Sequence, residues 1–215
     1  MGKSWQARTL SSRTTREERE AIADTLVDGA NTIISDAHIR LHPTLSAYQR
    51  YSGHFLNRNS DFITEHERYQ CHAARDQGAA LLIHIIADQL AHVVPRSPHS
   101  DRGLFAQADK EALNRVCSSM NALKHDAYHL HAADKHHGQR YRTKALAAFE
   151  KCESHAAALR AALDDIVQHT NPKAPHAAEE KILLTYCTDL LDVVETCRAH
   201  AVATLRSPQA KMNGR

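Results

Sequence analysis

From Ala79 to Val94 the chain reads AALLIHIIADQLAHVV, and this segment constrains the fold more than any other. Apolar residues run nearly all the way round a helix built from it, so the helix must be covered on several sides. The segment is sixteen residues long and interrupted by His84, Asp88, Gln89 and His92, which makes it too short and too polar to span a bilayer. The expectation is a central helix in a bundle. It forms the second half of a long helix from Asp61 to Val94 that Gly78 hinges or kinks.

The segments that would cover it carry apolar residues spaced by threes and fours, the period of an amphipathic helix. The first has Ile22, Leu26, Ala30, Ile33, Ala37 and Leu41, entered through a capping box at Thr14/Glu17 or Thr15/Glu18 and stopped by Pro43. A short helix with Leu45, Tyr48, Tyr51 and Phe55 is expected next. After the linker-like run PRSPHSDRG come three more stripes: Leu113, Val116, Met120, Leu123, Ala127, Leu130 and Ala133; then Ala145, Phe149, Cys152, Ala156, Leu159, Leu163 and Ile166; then Leu183, Tyr186, Leu190, Val194, Cys197, Ala201 and Leu205. No segment alternates as a strand does, and the β-branched residues are scattered.

These patterns predict an all-α fold: an elongated antiparallel bundle of about five long helices plus one short helix, with no sheet. The single domain spans residues 14–206, with tails at 1–13 and 207–215 and the linker at 95–103 between two helical halves. A chain of 215 residues buries enough surface to need no staple. Accordingly, Cys71, Cys117, Cys152, Cys187 and Cys197 are odd in number, form no CxxC pair and read as free thiols of a cytoplasmic protein. The acid-free start, with Lys3, Arg8, Arg13 and Arg16 before Glu17, has the flavour of a transit peptide but reads more simply as a tail.

Charge nominates no partner, since 27 basic and 25 acidic residues nearly cancel. The anomaly is histidine, with 17 in the chain. His38/His42 and His125/His129 have the four-residue spacing that puts two imidazoles on one helix face within reach of one metal ion. Chance alone gives about 1.3 such pairs, so the spacing decides nothing by itself. Periodicity puts Leu123, Ala127, Leu130 and Ala133 inward and His125, His129 and His136 outward, on a face that turns cationic on acidification.

Cys152/His155 and Cys197/His200 repeat a Cys-x-x-His spacing for which chance supplies about 0.4 examples. Folding their two helices into a hairpin offsets the imidazoles by roughly 14 Å along the axis, too far for one zinc ion. The candidate metal ligands are therefore His125, His129, Cys152 and His155, for zinc or another transition metal, beside the simpler expectation of no cofactor. His84 and His66 read as structural histidines.

A basic turn, Lys135, His136, Arg140, Arg142 and Lys144, leads into the next helix and is the candidate anion or partner site, with Tyr141 available for stacking. GxSxG, Walker and GxGxxG motifs are missing, as are HExxH and Glu-x-x-His. The reading is a non-catalytic protein acting through macromolecular binding, as an adaptor, inhibitor or regulatory subunit. Another protein is the expected partner. Metal or cofactor binding through His and Cys, nucleic-acid or anion binding through the basic turn, and self-association are the alternatives.

Overall fold

A computed structural model describes residues 15–45, 63–73, 75–93, 109–132, 139–169, 171–173 and 177–206. These form six helices, with no strand among the described residues: α1 (Arg16–Leu45), α2 (Glu65–Ala73), α3 (Arg75–Val93), α4 (Lys110–Ala132), α5 (Gln139–His169) and α6 (Ala177–Arg206). The expected helix around Tyr48 to Phe55, the linker and both tails lie outside the described residues.

Local chemistry starts the helices where the chain provides it. At α1 the Thr15 N–H donates to Glu18 Oε2 at 2.7 Å, and the Glu18 N–H donates to Thr15 Oγ1 at 3.2 Å, a complete capping box. Thr64 and Glu67 repeat it at α2, at 2.8 and 3.2 Å. Asp109 caps α4 by accepting from the Glu111 and Ala112 N–H groups at 3.0 and 3.1 Å. Neither of these last two caps was singled out from the sequence. At the other end, α1 passes Pro43 and finishes at Leu45, two residues beyond the expected stop.

Helices α3, α4, α5 and α6 form a ring in which each packs against the next and α6 closes back on α3. α1 lies against α6 and α3, and α2 packs on α1 and α3. One hydrophobic cluster takes side chains from all six helices. As its sequence requires, α3 is enclosed by α1, α2, α4 and α6, and Ala80, Ile83, Ile86, Ala87 and Leu90 are fully buried. The stripes of α4, α5 and α6 face inward as spaced, apart from Ala133, which lies outside the described residues. Of the stripe expected in α1, Leu26 and Ala30 are buried, Ile22 and Ile33 are partly buried, and Ala37 and Leu41 have side chains outside the description; Val27 and Ile34 are buried beside them.

The expected long helix from Asp61 to Val94 is instead two helices, α2 and α3, meeting at a corner. Residues seven apart in a continuous helix stand roughly 10 Å apart. Here a Cβ on Gly78 would lie 2.3 Å from the Cys71 carbonyl oxygen and 2.8 Å from its Cα, so the backbones touch. The Cys71 thiol also donates to the Gly78 carbonyl at 3.5 Å. Only the missing side chain of Gly78 permits this approach. Opposite, Asn31 of α1 holds the entry to α2, accepting from the Ile63 N–H at 2.9 Å and donating to its carbonyl at 3.4 Å.

Among the described residues, the core takes in the amide of Gln89 without a hydrogen bond. Gln89 is 1% exposed and neither atom of its amide has a partner. Such a group costs about 1–3 kcal/mol.

Replacement of Gly78 tests the corner. Gly78→Ala must displace backbone, so it should lower stability by about 2 kcal/mol or more in chemical denaturation. An unchanged midpoint would mean that α2 and α3 do not meet in this way.

Candidate functional site

The sequence candidates concentrate where α4 meets α5. Because Leu123, Ala127 and Leu130 are buried, the helical period turns His125 and His129 outward, and both are exposed. Their rings meet edge to face with centroids 4.2 Å apart, and the two Nε2 atoms are 3.0 Å apart. Tyr128, an exposed large hydrophobic side chain of α4 at 51%, lies beside them. Its ring is 5.8 Å from that of His129 and 5.5 Å from that of His84 on α3.

Asp126 joins this face to the next helix. Its Oδ1 lies 3.5 Å from His125 Nδ1, and its Oδ2 lies 3.2 Å from His155 Nε2 on α5. The carboxylate is mostly buried, with 20% of the side chain exposed, and Arg115 to Asp165 forms a second tie between the same helices. Asp126 and Tyr128 were missed in the sequence. The signal for Asp126 was its position beside the inward-facing Ala127, which places it at the boundary between helices.

The four metal candidates thus lie in one region at different depths. His125 and His129 pair at the surface, His155 reaches Asp126, and Cys152 is fully buried. Burial first, and then the nearby Asp126 carboxylate, push the Cys152 thiol up to about 12, so it is protonated at neutral pH. Among the described residues no three His, Cys, Asp or Glu side chains converge on one point. His200, the partner in the second Cys-x-x-His spacing, points away from this region into a cleft between α1, α2, α3 and α6. His38 and His42 lie in α1 with their side chains outside the description.

That cleft has a volume of about 520 Å³, and Leu26, Tyr69, Cys71, His72, Leu82 and His200 line it. In its lining Arg16 Nε donates to Glu20 Oε1 at 2.7 Å, and His72 joins a network that lies beside the cleft. Arg68 donates to Asp24 and Asp28, and His72 Nε2 is 3.0 Å from Asp24 Oδ1. The Arg68 guanidinium, with His72, holds the Asp24 carboxyl below its usual range. Burial pushes the Cys71 thiol up to about 12, which removes it as a nucleophile at neutral pH. Cys187 is likewise pushed up to about 12, and burial raises the thiols of Cys117 and Cys197 as well. All five cysteines are free, and Cys117 alone is only half-buried.

Of the basic turn, Lys135 and His136 lie outside the described residues, and Arg140 falls in the first turn of α5 with its side chain undescribed. Arg142 is half-buried and Lys144 exposed. Tyr141 is partly buried and packs against the core. The first turn of α5 holds no acidic residue, so nothing on the helix neutralises the positive end of its dipole.

His84 sits at the inner edge of the histidine face. Its Nδ1–H donates to the Lys124 carbonyl at 3.4 Å, and Lys124 itself pairs with Asp88. Burial depresses the His84 pKa; the charges of Lys124 and His131 add to the effect, and the Lys124 carbonyl and Asp88 oppose it. The unfolded chain therefore takes up this proton first as the pH falls. His84 costs nothing above the ordinary value of about 6.5 and destabilises progressively below it. A His84→Gln variant should lose less melting temperature than the wild type between about pH 7 and 5. Identical pH slopes for the two proteins would contradict the burial of this imidazole.

Comparison with known proteins adds no relative: the chain matches no protein-family model, no curated protein and no solved structure.

Proposed function

We propose that this is a non-catalytic protein that acts by binding another macromolecule, as an adaptor, inhibitor or regulatory subunit. The partner surface it suits is an acidic one on another protein. The observation that carries the reading is the outward display of Tyr128 between His125 and His129 on α4. Tyrosine is enriched among the residues that dominate binding energy, since it offers a large rigid contact and a hydroxyl. The imidazoles beside it favour carboxylates on the facing surface.

Chemistry elsewhere in the bundle supports binding over catalysis. The thiols of Cys71 and Cys152 are buried and protonated, and Arg16, Glu20 and His72 of the cleft are held in ion pairs. Free cysteines favour a reducing compartment such as the cytoplasm. No described helix is long and apolar enough to cross a membrane.

Site-specific photo-crosslinking in extract of the native cell, with chelator present, tests the proposal. A photoreactive residue at position 128 should capture one predominant acidic protein. The same probe at Tyr69, an equally accessible aromatic on α2 at 69% exposure, should not. Adding His125→Ala and His129→Ala should cut the capture from position 128 several-fold without changing the melting temperature. Equal capture from both positions would overturn the proposal, and a nuclease-sensitive product would replace the protein partner by a nucleic acid.

A further inference from the structure

We infer that His125 and His129 form a two-imidazole site for a transition-metal dication of the Zn²⁺ or Cu²⁺ class, with Asp126 as the residue that orients it. This assignment splits the candidate set into ligands, orienting groups and a bystander, which spacing in the sequence does not do. Four residues apart on α4, the two rings present their Nε2 atoms to each other at 3.0 Å. Two nitrogens bound tetrahedrally at about 2.0–2.1 Å must stand roughly 3.3 Å apart. A small opening of the pair, within the freedom of two exposed rings, reaches that separation.

Tautomers are already close to what a metal needs. A contact between two Nε2 atoms requires one to donate and the other to accept. His125 is the acceptor when its proton is on Nδ1, the atom facing Asp126 Oδ1 at 3.5 Å. A metal-binding histidine characteristically gives its second N–H to a carboxylate, which fixes the ring and raises its basicity. When the ion enters, the His129 proton moves from Nε2 to Nδ1 through solvent, and both Nε2 lone pairs then bind. No net proton is gained or lost by the neutral pair.

Asp126 is suited to that role because it is itself held. Its second oxygen is occupied by His155 Nε2 at 3.2 Å, so the carboxylate is anchored across the α4–α5 contact. His155 is thus a positioning residue two steps from the ion, and Cys152, fully buried below it, takes no part. The side chain of His125 is 68% exposed, which leaves the remaining coordination positions to water or to a ligand from solution.

Titration of tag-free protein with Cu²⁺ and with Zn²⁺ tests the site without any partner, so its failure is separate from failure of the proposed docking surface. The first equivalent of paramagnetic Cu²⁺ should broaden the imidazole NMR signals of His125 and His129 before those of the other histidines. Calorimetry with Zn²⁺ should give one tightest site per chain. His125→Gln or His129→Gln should abolish it, Asp126→Asn should weaken it about 10-fold or more, and Cys152→Ala should leave it unchanged. Both histidines are on the surface, so the variants should keep the wild-type circular dichroism. First broadening at other histidines, or unchanged affinity in His129→Gln, overturns the assignment, as does a loss of affinity in Cys152→Ala.

Discussion

The enclosure of α3 is the constraint on which the rest of the structure depends. A helix with apolar residues on every side has no face to offer to water, so α1, α2, α4 and α6 must all lie against it. Burial of side chains such as Leu82, Ile83, Ile86 and Leu90 contributes about 1.5–3 kcal/mol each before chain entropy is subtracted. Polar groups of α3 lie at its borders, with the buried Gln89 an exception. Asp88 and His84 reach Lys124 of α4, one through its side chain and one through its carbonyl, while Gln89 finds no partner.

The packing of α4 follows from that enclosure and creates the histidine face. One side of α4 is committed to α3 and another to α5, so the groups on the remaining arc have only solvent or a ligand to meet. The ties from Asp126 to His155 and from Arg115 to Asp165 hold α4 and α5 in register. A surface displayed on a helix so held is presented as a rigid unit, which favours recognition because little order must be imposed on binding. The same rigidity keeps the imidazoles of His125 and His129 facing each other.

Much of this was legible because it depends on period. The inward residues of α4, α5 and α6 follow from threes and fours along the chain, and the outward direction of His125 and His129 is their complement. Thr15 and Glu18 announce the start of α1 by local hydrogen bonding alone. Whatever depends on a second segment was not legible. The corner at Gly78 comes from contact with the Cys71 backbone, which no periodicity encodes. Asp126 looked like an ordinary helix charge until α5 placed His155 beside it, and nothing in the spacing showed that Tyr141 packs against the core.

Native-state hydrogen exchange tests the central claim most directly, namely that α3 is the enclosed axis of the bundle. Amides from Leu82 to Leu90 should exchange only through global unfolding, with the full denaturant dependence of that transition. Those along the more exposed outer turns of α1 and α5 should open at lower free energy. Local, denaturant-insensitive exchange in Leu82 to Leu90, at rates matching α1, would contradict the account.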